Sequence, residues 1–399
     1  TMLLTPISMK LIFTGDFSVS GVFFRKLSSG DEILDKEIIE AFQDADYVNI
    51  NLENPITNAS PNKKKGSALK APLNTAQYLK DCHINICTLA NNHIMDCGRD
   101  GLDDTIDSLN QNEIQFYGIG GYYPYLLLNK DGIKVALIAS CHREGPLWDG
   151  QNPAPFYFRI KDIKQLIRKI EDNDKPDYII FSYHGGTEFN TIPEPKRRDF
   201  FYDLVDLGID IVIGHHAHVP QGIEVRGKST LVYGLGNFCF DTPYQRKSAY
   251  TSESFFIEVD LTQGRPLHID KYYLKIDRDE GRVSLNTNKN CDLIFKNRLQ
   301  VFESPRVYDA HWEKEAFRVY FYNNPNCSLW GSEDLSDSIS QTGINKNVRN
   351  SIDKNGLLRT ALRSTRMVLL DAKNPSRRPL LVGAIKHILK GGDRVTDQH

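Results

Sequence analysis

The chain has 399 residues, of which 40% are hydrophobic and 25% are charged, and its formal net charge is -2. This composition is typical of a globular protein with a large core, built either as one domain with an extension or as two domains. The near-neutral balance excludes binding to nucleic acid or to an anionic membrane through overall charge, so a charged partner must meet a local patch.

The seven cysteines are spread along the chain and form no Cys-x-x-Cys pair. An odd, scattered set argues against a disulfide framework and against a cysteine-based zinc site, and is typical of a reducing compartment. The first residues lack a charged segment followed by a long apolar one, and no run approaches the roughly 20 apolar residues of a membrane span. The sequence therefore predicts a cytoplasmic protein.

Short apolar runs alternate with helical patterns over the first 240 residues or so. Predicted strands lie at 10–14, 47–52, 84–89, 135–140, 178–183, 209–213 and 230–233. Predicted helices lie at 32–44, 75–81, 102–112, 160–173 and 197–207. Strands that alternate with helices indicate a layered α/β domain with buried sheets, in which ligands bind at the carboxyl ends of the strands.

The pattern changes in the last third of the chain. Period-two stretches at 255–261 and 272–276, and a further predicted strand at 282–285, indicate a β closure of the same domain, so the domains are predicted as 9–290 and a mostly helical extension, 291–399. The extension is basic, with twelve lysines and arginines against four aspartates in 343–399.

Two segments of the extension, 357–370 and 380–389, combine leucines with basic residues in an amphipathic pattern. They predict either a helical appendage packed on the domain, or a contact of residues 343–395 with an anionic membrane surface or a membrane-bound assembly. The second alternative would place the protein at the inner face of the membrane.

Five predicted strands of the first domain are each followed by side chains that bind divalent metals. Carboxylates, amide oxygens and imidazoles together suit Mn²⁺, Fe²⁺, Zn²⁺ or Mg²⁺, and the histidines favour the first three. The five clusters are Gly15-Asp16, Asn51-Leu-Glu53-Asn-Pro55, Ala90-Asn-Asn92-His93-Ile-Met-Asp96, Tyr183-His184-Gly-Gly-Thr-Glu188 and Gly214-His215-His216-Ala-His218.

Taken singly, some of these clusters also fit structural roles. Asp16 fits a turn in which its side chain bonds to the backbone. Asn92, beside His93, fits the cap of a helix. Three imidazoles within 215–218, at the end of an apolar strand, are harder to satisfy without a metal. The five clusters in this order favour a metal site.

These motifs resemble the CapA family of bacterial capsule or poly-γ-glutamate synthesis proteins, in the calcineurin-like metallophosphoesterase superfamily. The resemblance covers residues 10–241, and it implies a four-layer α/β/β/α sandwich with metals at the strand ends. The segments that carry it are 14–16, 48–57, 89–96, 182–188, 208–219 and 232–241.

The resemblance also implies roles for individual side chains. His93 would act as general acid or stabilise the transition state. From their positions in the chain, Glu188 and Asp96 either orient His93 or the substrate, or are cap or turn residues. Asn237 and Asn51 are assigned to substrate binding. The implied metal ligands are Asp16, Glu53, Asn92, His184, His216 and His218.

Two departures from the superfamily pattern leave alternatives open. Ser18 stands where many members have a histidine, and Glu53 replaces the bridging aspartate. The loss of an imidazole at Ser18 weakens one metal position, so the site is predicted to hold one or two ions of Mn, Fe or Zn. Either His215 or His216 is the ligand, with the other as an outer hydrogen-bond donor.

The predicted function is metal-dependent hydrolysis of a phosphate ester, amide or ester bond in capsule or other surface-polymer biosynthesis. The predicted substrate is an anionic polymer or a phosphorylated small molecule, and nucleic acid is not a predicted partner. The alternative is a non-catalytic protein of the capsule synthesis machinery that binds metal or polymer. An ATP-driven ligase is not favoured because the chain has no Gly-x-x-x-x-Gly-Lys-Ser/Thr loop.

Overall fold

The computed structural model describes residues 7–62, 69–288, 301–322 and 378–389. The chain divides into two compact units, Thr1–Phe302 and Glu303–His399. The domain boundary predicted after residue 290 lies outside the described residues and stays a prediction.

The described strands all lie in the N-terminal unit. In chain order they are β1 Ser8–Phe17, β2 Tyr47–Leu52, β3 Ile86–Thr88, β4 Gln115–Tyr117, β5 Tyr125–Lys130, β6 Ile133–Cys141, β7 Tyr178–His184, β8 Ile211–His215, β9 Ile223–Arg226, β10 Ser229–Val232, β11 Asn237–Cys239, β12 Glu253–Thr262, β13 His268–Asp277 and β14 Arg282–Leu285.

Helices connect these strands. In the N-terminal unit they are α1 Val22–Ser28, α2 Lys36–Gln43, α3 Thr75–Asp81, α4 Gly98–Gln111, α5 Ile160–Asn173, α6 Pro195–Asp206 and α7 Pro243–Lys247. A 3₁₀ turn at Val301–Glu303 precedes the helices Pro305–Tyr322 and Arg378–Leu389.

The strands form two sheets. One has the order β14-β13-β12-β1-β2-β3-β4, with β11 also paired to β1, and the other has the order β5-β6-β7-β8-β10-β9. Parallel pairs make the centre of each sheet, β1 with β2 and β3 in one and β6 with β7 and β8 in the other. Antiparallel strands lie on the β12 to β14 side of the first sheet and at both edges of the second, whereas the β4 edge of the first sheet is parallel.

Three apolar clusters define the layers. The cluster between the sheets joins Leu11 and Phe13 of β1 to Leu137 of β6. The neighbouring Ile12 points to the opposite face, as the period of a strand requires, and joins Phe42 of α2 in an outer cluster with helices α1 to α4. A second outer cluster packs α5 and α6 on the other sheet. The order helix, sheet, sheet, helix confirms the predicted α/β sandwich.

The element boundaries differ from the predicted ones where pairing overrides local pattern. The strand predicted at 209–213 is β8, which extends to His215 because it pairs with β7 to its last residue. Strands β4, β5, β9 and β11 were not predicted. β11 has only three residues, and its extended state comes from pairing with β1, which no local periodicity signals.

The C-terminal unit contains two described helices packed against each other. Gly383 lies so close to the first helix that a Cβ atom there would be 2.6 Å from Ala316 Cβ. On Arg378–Leu389, Val382, Ile385 and Leu389 are exposed. The predicted amphipathic segment 380–389 falls in this helix, and 357–370 lies outside the described residues. Within the described ranges no helix has the length and apolarity needed to cross a membrane.

Candidate metal centre

The carboxyl ends of four central strands, two from each sheet, bring the predicted ligands together. Asp16 lies near the end of β1 opposite Asn51 of β2, and Glu53 follows β2 directly. His184 and His215 are the last residues of β7 and β8 and lie opposite each other. The strand-end rule for α/β sheets therefore places these side chains at one edge.

Two glycines let the backbone close around this edge. A Cβ on Gly15 would lie 2.1 Å from the carbonyl oxygen of Gly236, and a Cβ on Gly214 would lie 2.2 Å from that of Tyr233. Only glycine permits such close approach. Each glycine directly precedes a site residue. This close packing therefore fixes the backbone positions of Asp16 and His215.

Asp16 is the centre of the hydrogen-bond network. Its Oδ1 accepts a hydrogen bond from Asn51 Nδ2 at 2.9 Å and lies 3.0 Å from His215 Nδ1. Its Oδ2 accepts from the backbone N–H of His216 at 3.0 Å and lies 3.4 Å from His218 Nδ1. One buried carboxylate thus touches all three histidines of the 215–218 run.

A second set of donor atoms converges on His184. Its Nε2 lies 2.9 Å from Asn92 Oδ1 and 3.2 Å from His216 Nδ1. Its Nδ1 lies 3.1 Å from Asn51 Nδ2 and 3.9 Å from Glu53 Oε1. An amide oxygen and a second imidazole, each within hydrogen-bond distance of His184, form with it a ligand set that suits a borderline metal.

Three atoms in this network are buried and have no hydrogen-bond partner among the described residues: Glu53 Oε2, His215 Nε2 and His216 Nε2. Leaving such atoms unsatisfied costs about 1 to 3 kcal/mol each. A cation would satisfy carboxylate oxygen and imidazole nitrogen alike, so these side chains fit a metal ion.

The electrostatics of the site point the same way. Burial, followed by the charge of Asp16, raises the pKa of Glu53 well above its usual range. Burial also acts to raise the pKa of Asp16, but His215, His218 and Asn51 together outweigh it and lower that pKa to about 2. Burial and the neighbouring imidazoles hold the pKa of His184 well below its usual range. A divalent cation would favour the ionised carboxylates and neutral imidazoles.

The backbone is strained at two of the imidazoles. His216 has φ of 80° and His218 has φ of 58°, values in the left-handed region that is unfavourable for residues with a Cβ. Such strain persists where surrounding structure imposes it, and it concentrates at ligand-binding sites.

His93 lies on the loop after β3 and is oriented by its neighbours. Its Nδ1 lies 2.8 Å from Asp96 Oδ2, and its backbone N–H donates to Asn91 Oδ1 at 3.1 Å. Asn91 is itself tied to β2 through the carbonyl of Leu52 at 2.8 Å. The His93 side chain is 22% exposed, unlike the buried imidazoles, so it is within reach of a substrate.

The remaining predicted residues lie at or inside the cluster. Glu188 is partly exposed, with Oε1 3.8 Å from His218 Nε2. Asn237 is buried; its Oδ1 lies 2.9 Å from His218 Nδ1, and its amide donates to Gln245 and Thr251. Asn51 is buried as well. The substrate-binding role assigned to the two asparagines stays a prediction, and these contacts suit orientation of the ligands.

Two site residues were missed by the sequence analysis. His142 and Glu144 follow β6, and the His142 ring lies 4.5 Å from the His216 ring between centroids. Histidine and glutamate directly after a predicted strand repeat the signal that marked the other five clusters, so Cys141-His-Arg-Glu144 was available as a sixth.

In the described part of the chain, three groups of side chains have ligand atoms within 4.8 Å of one another and can hold a metal ion. His216 belongs to two of the three groups. They are Asp16 with Glu53 and His184, Glu188 with His216 and His218, and His142 with Glu144 and His216.

Comparison with known proteins places this site in a family. Residues 10–242 match the family described as Bacterial capsule synthesis protein PGA_cap. The chain is 26% identical over 304 residues to Capsule biosynthesis protein CapA of Bacillus anthracis, covering 69% of this chain and 74% of that protein. It is also 26% identical over 286 residues to PGA biosynthesis protein CapA of Bacillus subtilis, covering 66% and 74%.

Among solved structures, the chain is similar to one described as a novel phosphatase of Mycoplasma pneumoniae. The identity is 16%, the TM-score is 0.46, and the match covers 68% of this chain and 95% of that chain. The family match spans more than half of the 399 residues and contains every predicted metal ligand. The chain therefore belongs to the bacterial capsule synthesis protein PGA_cap family.

Proposed function

We propose that this chain is a metal-dependent hydrolase that acts in capsule or other surface-polymer biosynthesis on a phosphate ester, amide or ester bond. The observation that carries the proposal is the convergence of Asp16, Asn92, His184 and His216 around buried, unsatisfied ligand atoms. The names of the relatives supply the polymer context, whereas the donor set supplies the chemistry.

The proposed cofactor is one or two ions of Mn²⁺, Fe²⁺ or Zn²⁺. The ligands we assign are those implied by the family pattern: Asp16, Glu53, Asn92, His184, His216 and His218. When bound, such a metal polarises a phosphoryl or carbonyl oxygen and makes water nucleophilic near neutral pH. Asn51 and Asn237 hold the ligand side chains in place through the hydrogen bonds described above.

His93 is the residue we assign to proton transfer. Because its Nδ1 faces Asp96 at 2.8 Å, the Asp96 carboxylate fixes the tautomer that carries a proton on Nδ1 when the ring is neutral. In the protonated ring, Nε2–H is then available to donate to the oxygen or nitrogen of the leaving group. We assign Glu188, which is partly exposed and lies beside His218, to orienting the substrate.

The substrate we propose is an anionic polymer or a phosphorylated small molecule. A bound divalent cation beside the partly exposed His93 would attract and orient an anionic group. Nucleic acid is not proposed, since the net charge of -2 provides no general attraction for it.

The first test is elemental analysis of protein purified without chelators, with His216→Ala and His218→Ala beside it. We expect one or two equivalents of transition metal, reduced in both variants because each removes a ligand. His268→Ala, an exposed histidine in β13, is the matched control and should keep the wild-type content. Absence of metal above background, even after reconstitution with Mn²⁺, Fe²⁺ or Zn²⁺, would sink the hydrolase proposal.

The second test is turnover of a generic phosphodiester by the metal-loaded protein. We expect His93→Ala to lower kcat by about 10²- to 10⁴-fold, the usual contribution of a general acid, while metal content is unchanged. A His93→Ala variant as active as the wild type would remove His93 from the mechanism.

One observation favours a second function, that of a non-catalytic assembly protein that binds metal or polymer. Ser18 stands in place of an imidazole, and its hydroxyl forms a hydrogen bond with Ser20 Oγ at 3.3 Å. A weakened metal position suits binding without hydrolysis. Retention of polymer on the loaded protein, with no turnover of phosphate ester, amide or ester, would favour this alternative.

We also propose that residues 343–395 contact an anionic membrane surface or a membrane-bound assembly. Support comes from Val382, Ile385 and Leu389, which are exposed on the helix Arg378–Leu389 close to Lys386. The full chain should cosediment with phosphatidylglycerol vesicles more than with phosphatidylcholine vesicles, and Ile385→Asp should reduce this binding. Equal recovery with both vesicle types would contradict contact with an anionic membrane surface and leave only the membrane-bound assembly.

A further inference from the structure

The turn after β6 is fixed against the candidate metal centre. The backbone N–H of His142 donates to the carbonyl of His184 at 2.9 Å, which continues the β6–β7 pairing one residue past β6. Glu144 Oε2 lies 3.0 Å from His142 Nε2 and accepts a hydrogen bond from Asn92 Nδ2 at 3.4 Å. Both side chains are therefore held beside the predicted ligands.

His142 and Glu144 face an imidazole that already belongs to the site. The rings of His142 and His216 are 4.5 Å apart at an interplanar angle of 66°. Ligand atoms of His142, Glu144 and His216 all lie within 4.8 Å of one another. Ligands about 2.1 Å from a tetrahedral ion lie roughly 3.4 Å apart, so modest side-chain rotation brings the three to bonding distance.

One ring nitrogen of His216 is available to bind a metal together with His142 and Glu144. Its Nδ1 lies 3.2 Å from His184 Nε2, whereas its Nε2 is buried and meets no hydrogen-bond partner among the residues described. The side chain as a whole is 1% exposed, so water does not satisfy that nitrogen from the surface. The ring that carries this buried nitrogen lies beside a histidine and a glutamate, and a cation held between the three side chains would satisfy it.

We propose that His142, Glu144 and His216 hold a divalent transition metal, at a position beside the one that Asp16, Glu53 and His184 form. Two imidazoles and one carboxylate are a ligand set that catalytic zinc sites use, and three protein ligands leave a coordination position for water or for a substrate oxygen. The turn after β6 thus adds an imidazole and a carboxylate to a site whose first strand has serine, not histidine, at position 18. The inference rests on the proposed metal centre, but it does not require turnover.

A competing interpretation is that Glu144 only orients Asn92 and His142. In that case Glu144 would act through hydrogen bonds alone, and its substitution would leave metal stoichiometry unchanged. The two interpretations therefore differ in the number of ions bound.

The experiment is titration of metal-free full-length protein with Zn²⁺ and with Co²⁺, read by elemental analysis and by visible absorption of Co²⁺. The variants are His142→Gln and Glu144→Gln; glutamine at 144 keeps an oxygen to accept from Asn92. His268→Gln and Glu280→Gln, at exposed positions, are matched controls. We expect wild type and controls to bind two equivalents and each variant to lose one, or to bind it at least about 10-fold more weakly.

Wild-type stoichiometry and affinities in both variants would overturn the inference. Thermal unfolding in excess chelator serves as the folding control. Because the Glu144 side chain is more exposed than that of His142, we expect Glu144→Gln to disturb folding less than His142→Gln does. Loss of one equivalent in protein that never hydrolyses a substrate would support this inference and remove the hydrolase proposal. If turnover depends on His93 but both variants bind metal as the wild type does, the hydrolase proposal stands and this inference is wrong.

Discussion

Single side chains in this protein have pKa values set mainly by burial and by one or two named neighbours. Glu194, which precedes α6, has its pKa raised to about 7 by burial, against the opposing charge of Arg197. Its Oε2 is buried and finds no hydrogen-bond partner in the described part of the chain. The folded protein therefore prefers the protonated form of Glu194.

This preference predicts a pH dependence of stability. Between about pH 4.5 and 7 the folded state binds a proton on Glu194 that the unfolded state releases, so the contribution of Glu194 to stability falls as pH rises. Glu194→Gln removes this titration. The free energy of unfolding of the variant relative to wild type should rise by about 1 to 3 kcal/mol from pH 4.5 to pH 8.

Urea denaturation of both proteins at a series of pH values provides the measurement. A difference for Glu194→Gln that does not change with pH would contradict the assignment.

Asp96 is a positioning residue for His93. Asparagine at position 96 keeps an oxygen for the backbone N–H of Leu69, which donates to Asp96 Oδ2 at 2.8 Å, but it removes the negative charge facing His93 Nδ1. We expect Asp96→Asn to lower kcat by about 10- to 100-fold, less than His93→Ala, because the acid remains but its orientation and charge stabilisation are weakened. The measurement is the pH profile of kcat, with metal content as control.

An unchanged profile with a large rise in KM would instead assign Asp96 to substrate binding. The comparison separates the two roles that the sequence analysis left open for this residue.

Helices are held to the sheets by apolar stripes, and α5 shows this simply. Ile163, Ile167 and Ile170 are buried at helical spacing, while Lys164 on the same helix is exposed. Ile167→Ala should lower the free energy of unfolding by about 2 to 5 kcal/mol, because it removes buried methylenes and leaves a cavity. Lys164→Ala should change it by less than about 0.5 kcal/mol. Urea denaturation of the pair is the check, and equal effects would mean that α5 does not stabilise the sheet.

The strands and the loops contribute different side chains to the site. Parallel pairing in register brings Asp16 beside Asn51 and His184 beside His215, so the ligand positions follow from the β1–β2 and β7–β8 pairs. The loops add what the strands cannot supply: His93, and the His142 turn after β6.

At the scale of the whole molecule, metal binding should couple to the stability of the N-terminal unit alone, because all candidate ligands lie within Thr1–Phe302. A ligand that binds only the folded state at 100 times its Kd stabilises it by about 2.7 kcal/mol. We expect Zn²⁺ or Mn²⁺ to raise the Tm of the unfolding transition of this unit and chelator to lower it.

Differential scanning calorimetry of the full chain tests this, with His184→Ala as the ligand-deficient comparison. That variant should respond less to metal than the wild type does. Equal responses would show that the added metal acts elsewhere on the protein.

The sequence by itself determined the α/β class, the family and the strand-end ligand clusters, because buried parallel strands are continuous apolar runs and their ends are marked by Asp, Glu, Asn and His in short motifs. It also indicated that His93 lies in the site, from its place next to Asn92. These are local properties of the chain, which periodicity and motif spacing record.

Only the tertiary structure decided how the clusters meet. The contact of Asp16 with His215 spans 199 residues, and that of His184 with Asn92 spans 92, so neither follows from local pattern. The structure likewise placed Asn51 and Asn237 inside the ligand network and brought His142 and Glu144 to His216. Long-range pairing sets these distances, since the register of two sheets, and not the propensity of any segment, determines which strand ends lie together.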